Sequence, residues 1–180
     1  MVLVLALSGV AAGATQTASP KKWISTFCGS VLTWENSVKS NAAKLDKTVA
    51  ALKGAGKADL PVLKSQLNGF LGSLVKSTNT MVGKLKGVGP PDVKNGAKIQ
   101  DVVVGAFQQV AKGFGAAKTS AQSLSTTNKQ KFVKGAGAIE TTIQVTSTRG
   151  QSALTALNKY PTKALDDAAT KDPACLKLHA

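Results

Sequence analysis

Residues Trp23 to Leu52 read WISTFCGSVLTWENSVKSNAAKLDKTVAAL. Within them Phe27, Val31, Trp34, Val38, Ala42, Leu45, Val49 and Leu52 recur at steps of three and four, which lays one apolar stripe along one face of a long helix. Both tryptophans and one of the two cysteines fall in its first half. Just upstream, Ser19-Pro20 offers a cap residue followed by proline at the first helical position. Downstream, Lys53-Gly54-Ala55-Gly56-Lys57 breaks the period, because paired glycines cost a helix backbone entropy. The spacing predicts one helix from about residue 19 to about residue 53.

Three later segments carry comparable stripes. Helix two opens at Asp59 with Pro61 just inside, and its stripe is Leu60, Leu63, Leu67, Phe70, Leu71, Leu74, Met81 and Leu85. Gly87-Val88-Gly89-Pro90-Pro91 ends it, since adjacent prolines cannot continue a helix. Helix three is expected to take Asp92 as its cap and to align Val103, Phe107, Val110, Phe114, Ala117, Ala121 and Leu124. After a polar turn at Ser125 to Asn128, helix four aligns Phe132, Ala136, Ile139, Ile143, Thr146, Gly150, Ala153 and Leu157. The small residues late in that stripe imply either a close helix approach or weaker packing there. Tyr160-Pro161 stops it, and a short helix is expected around Ala164 to Thr170. Each long helix would measure roughly 40 to 50 Å at about 1.5 Å per residue. Short connections make successive helices antiparallel. The expectation is an all-α protein, an antiparallel up-down-up-down four-helix bundle forming a single domain over residues 19–180, with a C-terminal tail tied back to helix one.

The composition agrees. Hydrophobic residues make up 43% and aromatics only 4%, so leucine, valine and alanine must fill the core. Trp23 and Trp34 lie three turns apart on the same face as Phe27. By that spacing Trp23, Phe27, Trp34, Phe107 and Phe114 are core aromatics rather than a stacking platform for a ligand. Cys28 has no histidine near it and no second cysteine at metal or redox spacing. Two cysteines in an exported chain most simply make one disulfide. In the bundle topology helix four ends beside the start of helix one, so a short tail brings Cys175 to Cys28. Two readings made from different residues therefore agree.

Val2 to Ala14 are almost all small or apolar, and no charge precedes Lys21. The run is too short to span a bilayer and matches the apolar region of a secretory signal peptide. Ala12-Gly13-Ala14 places small residues where a signal peptidase reads, giving residues 1–14 as the signal and cleavage before Thr15; Ala18 marks a second position. No lysine or arginine stands beside Met1, and the competing reading is a buried N-terminal helix. No transmembrane span is expected after signal removal.

Catalytic chemistry has little to draw on. The single histidine, His179, sits next to the C-terminus, where a general base or ligand would lack a fixed position. Asp59 and Asp92 are assigned to caps, Glu35 to Lys39 one turn on, and Asp166-Asp167 to solvent. No phosphate-loop or nucleophile-elbow motif occurs. Neither enzymatic activity, a metal nor a cofactor is expected.

Charge is the stronger signal. The net charge is +14, from 23 basic against 9 acidic residues, and Arg149 is the lone arginine. Lysine is a hydrated point charge without the planar fork that reads guanine or phosphate bidentately. Sequence-specific nucleic-acid binding is therefore not expected, while diffuse attraction to an anionic polymer or to lipid headgroups is. The topology collects Lys21, Lys22, Lys84, Lys86, Lys94, Lys98, Lys159 and Lys163 at one end of the bundle, partly offset by Asp92, Asp166 and Asp167, as a candidate anion-binding surface. Lys53, Lys57, Lys129 and Lys131 mark the other end. The plainer alternative is a uniformly basic, solubilising surface.

The pattern Trp23-x-x-x-Phe27-Cys28-Gly29, then Gly89-Pro90-Pro91-Asp92-Val93-x-Asn95-Gly96, then Pro173-Ala174-Cys175 resembles small secreted helical proteins of unknown function from actinobacteria. The resemblance covers most of the mature chain and implies localisation and fold only. Taken together, the expectation is a secreted, non-catalytic binding or structural protein of the cell envelope. A carrier of a small apolar ligand in the bundle core stands second, and an enzyme with an unfamiliar site third.

Overall fold

The structure, a computed structural model, describes residues 16–54 and 59–178. The expected signal segment, the Gly56-Lys57 part of the first turn, and His179 lie outside the described residues, as do the side chains of Val49 and Leu52. Four long helices dominate: α1 (Pro20–Gly54), α2 (Leu60–Val88), α3 (Gly96–Gln122) and α4 (Lys129–Thr155). A 3-10 turn (Ala156–Lys159) leads to two short helices, α5 (Lys163–Ala169) and α6 (Pro173–Leu178). The chain is an all-α up-down-up-down bundle, and its tail returns to α1.

Local chemistry sets the helix starts. Asp59 accepts from Val62 N at 3.1 Å with proline inside the first turn, and Asn128 accepts from Lys131 N at 2.9 Å. Asp172 accepts from Ala174 N and Cys175 N, at 2.9 and 3.2 Å, and so orients the turn that carries Cys175. The expected cap at Asp92 is a correction. Helix α3 starts four residues later, at Gly96, behind Asn95 in the left-handed region at φ 63°. Pro90 and Pro91 hold the chain extended, and Asp92 N donates to Ala18 O at 2.7 Å instead of opening a helix. A turn over Pro91 to Gly96 must redirect the chain first, and asparagine tolerates the left-handed step it requires. The C-terminal helix α6 extends the tail beyond the one short helix expected.

Successive helices pack on one another: α1 on α2, α2 on α3, α3 on α4. Helices α4 and α1 make no comparable backbone approach; α5 and α6 cover α1 instead. Two apolar clusters fill the bundle. The first holds Trp23, Ile24, Cys28, Met81, Leu85, Val103 and Phe107 near the tail. The second holds Leu71, Leu74, Val110, Phe114, Phe132 and Ile139 toward the other end. Leu71, Leu85 and Val103 have no exposed surface, and burying each such side chain contributes about 1.5–3 kcal/mol. Of the two readings of the small residues late in α4, the close approach is the one present. Gly150 stands against Val110, and Gly113 leaves room for Thr146.

Candidate functional site

One end of the bundle is assembled from four parts of the chain. Cys28 and Cys175 are bonded, with their Cα atoms 5.0 Å apart, and both are buried. Ala18 N donates to Pro90 O at 2.8 Å, which pins the segment before α1 to the α2–α3 turn. Gly89 sits in that turn at φ +76°, and a side chain there would run into the Gln16 carbonyl. The start of α1, the α2–α3 turn, the 3-10 turn and α5 thus meet.

The eight lysines of the expected surface are all exposed. Lys21 and Lys22 come from α1, Lys84 and Lys86 from α2, Lys94 and Lys98 from the turn and start of α3, Lys159 from the 3-10 turn and Lys163 from α5. Lys163 pairs with Asp167 at 2.7 Å. The other seven have no carboxylate partner among the described residues, and Asp92 and Asp166 are exposed without an ion pair. At the other end Lys129 and Lys131 are exposed.

The two tryptophans differ. Trp23 is 3% exposed, stacks on the half-buried Phe27 at 5.5 Å, and donates from Nε1 to Gln100 Oε1 at 2.8 Å. Trp34 is only half-buried. Its Nε1 donates to Thr78 Oγ1 at 2.9 Å, and its ring meets Phe107 edge-on at 6.3 Å. Phe107 and Phe114 are buried. Gln100 and Thr78, both buried polar partners, were not singled out from the sequence. Their positions held the signal: Thr78 fills the gap between Leu74 and Met81 on the α2 stripe, and Gln100 precedes Val103 by one turn.

Two grooves flank this framework. Between α1 and α2 a groove of about 290 Å³ has Trp34 and Met81 at its base and hydroxyl-bearing side chains along both walls; Lys76 and Lys84 also line it. Between α1, α3 and α5 a second groove of about 420 Å³ is lined by Trp23, Phe27, Leu157 and Tyr160. Among the described residues no group of three His, Cys, Asp or Glu side chains is placed to hold a metal ion, and no helix is long and apolar enough to cross a membrane. Glu35 and Lys39 form an exposed pair at 3.6 Å, a contact worth at most a few tenths of a kcal/mol, about 0.3–0.5.

Comparison with known protein families, with curated proteins and with solved structures finds no match.

Proposed function

We propose that this protein is an exported, non-catalytic binding protein of the cell envelope, held near anionic polymer or lipid headgroups by its lysine-rich end. One observation carries the reading. Seven lysines from α1, α2, the α2–α3 turn, α3 and the 3-10 turn approach one end of the bundle without a carboxylate partner among the described residues. Their fields add over distances comparable to the Debye length, about 10 Å at 0.1 M salt. Lysine without arginine favours attraction to charge density over recognition of a particular base or headgroup.

Equilibrium binding of inorganic polyphosphate, and of vesicles with and without anionic headgroups, tests this across a salt series. Affinity is expected to fall by about tenfold or more between 50 and 200 mM salt, because bound counterions are released. Absence of binding at low salt, or binding that ignores salt, overturns it. Comparing polymer with vesicle separates the two anionic sources. A second reading, a carrier of a small apolar ligand, rests on the aromatic groove between α1, α3 and α5, whose volume lies within the range of about 300–1,000 Å³ usual for ligand pockets.

A further inference from the structure

The groove between α1 and α2 differs chemically from the lysine-rich end. Its base is the half-buried indole of Trp34, fixed in orientation by the Thr78 hydroxyl, beside the buried Met81. A tryptophan held this way offers a flat apolar surface at low entropic cost. The walls are hydroxylated, and most of the hydroxyl protons are already committed. Thr33 donates to Gly29 O at 2.7 Å, Thr80 to Lys76 O at 2.9 Å and Ser77 to Leu74 O at 3.2 Å. Each of these groove-lining hydroxyls keeps acceptor capacity only. A ligand rich in hydroxyl donors complements them.

Ser30 is the exception. It is 4% exposed, lines the groove, and has no hydrogen-bond partner among the described residues. Its Oγ keeps contact with solvent in the groove, so the hydroxyl is free to donate to a ligand or to accept from one. Lys76 and Lys84, both exposed, stand on the α2 wall two turns apart, and among the described residues no carboxylate lines the groove. A ligand with negative charge, hydroxyls and one apolar face complements this lining. Lys84 also belongs to the lysine-rich end, so a chain drawn to that end can run on into the groove. From Ser30 to Asn41 the α1 wall extends about 16 Å at about 1.5 Å per residue, which suits a short linear segment rather than a single ring.

We propose that this groove binds a segment of an anionic polysaccharide, one sugar face lying on Trp34, its hydroxyls meeting Ser30 and the wall oxygens, and its acidic groups meeting Lys76 and Lys84. The assignment rests on the reading that the protein binds anionic envelope polymer, and it names the polymer's chemistry.

The test titrates the intact protein with three probes: a sulfated dextran oligosaccharide, the neutral dextran oligosaccharide of equal length, and inorganic polyphosphate. Two readouts are taken, affinity and the NMR shift of the Trp34 indole N–H. The sulfated sugar is expected to bind best and to move the Trp34 signal, while polyphosphate binds the lysine-rich end and leaves that signal in place. Thr80→Glu and Lys76→Gln change exposed helical positions on the groove wall, where folding tolerates them. Each is expected to weaken the sulfated sugar by about tenfold or more while changing polyphosphate affinity by less than about threefold. Sulfated sugar that binds without moving Trp34, or equally well to Thr80→Glu, overturns the groove assignment and leaves the broader reading standing. Equal affinity for the neutral sugar overturns the anionic part. If neither sulfated sugar nor polyphosphate binds at low salt, both readings fall.

Discussion

Replacing Cys28 and Cys175 by alanine should cost this protein a large share of its stability. The bond joins positions 147 apart in sequence, so it encloses nearly the whole described bundle. In the chain-entropy treatment, a loop of that size raises the unfolded chain's entropy on release by about 17 cal/mol/K, or about 5 kcal/mol at 25 °C. Both cysteines are buried, and removing two sulfur atoms adds about 1 kcal/mol of lost packing. Against a typical total of about 5–15 kcal/mol, a loss of 4–6, in the same approximate units, leaves a marginal fold. For a chain of this size it corresponds to a fall in Tm of about 10–20 °C. Guanidinium unfolding followed by tryptophan fluorescence and by circular dichroism measures it. The slope with denaturant should rise, because the uncrosslinked chain exposes more surface when unfolded.

The same substitution has a local signature. Helices α4 and α1 lack the extensive backbone contact that joins the other neighbours, and the tail that follows α4 packs on α1. Without the bond only modest burial holds the tail, chiefly Leu165 with Ala168, Ala169 and Ala174 around it. Amide exchange should then accelerate first in α5 and α6 while α2 and α3 stay protected. A stability loss below about 1 kcal/mol, or unchanged exchange in the tail, would refute the reasoning that this bridge closes the bundle.

A chain beginning at Ser19 should be less stable than one beginning at Thr15 by about 2–3 kcal/mol in calorimetry or denaturant titration. It lacks buried Ala18 and the backbone bonds from Ala18 N to Pro90 O and from Asp92 N to Ala18 O, each worth about 1 kcal/mol. Gly89→Ala should cost about 1–3 kcal/mol in the same assay, since the position has φ +76° and ψ 176° and faces the Gln16 carbonyl. Gln100→Leu should cost about 1–3 kcal/mol and shift the emission of buried Trp23, whose Nε1–H loses its acceptor. Gly113→Ala should cost about 1–3 kcal/mol in thermal unfolding, because its methyl group would enter the space held by the stiff side chain of Thr146 between α3 and α4.

The helices and their order were legible because every long element carries its own apolar period, and Asp59 before Pro61 marks the start of α2; Asn128, read only as the end of a polar turn, caps α4. The disulfide was legible because topology and cysteine count converge on the same pair. Asp92 misled because a cap is recognised by residue type, whereas its backbone is occupied by Ala18, 74 positions away in sequence and invisible to any local pattern. Periodicity names the apolar face of a helix but not the neighbour it meets. That is why the lack of extensive contact between α1 and α4, with the tail packed on α1 instead, could not be read from four similar stripes.

The candidate groove was hidden for a related reason. Ser30, Thr33, Ser73 and Ser77 read in sequence as unremarkable polar positions on two helices whose facing segments lie 32 or more positions apart. Hydroxyls within a helix usually bond back to the preceding turn, and most of these do. Only antiparallel packing sets the two rows opposite each other, with Trp34 and Met81 at the base between them. Trp34 is half-exposed where its apolar spacing alone assigns it to the interior, because α1 meets α2 through small serines and threonines at this level rather than through leucines. The residues that loosen the packing there are the same ones that give the groove its acceptors, so a variant that fills it with leucine should gain stability and lose the site together.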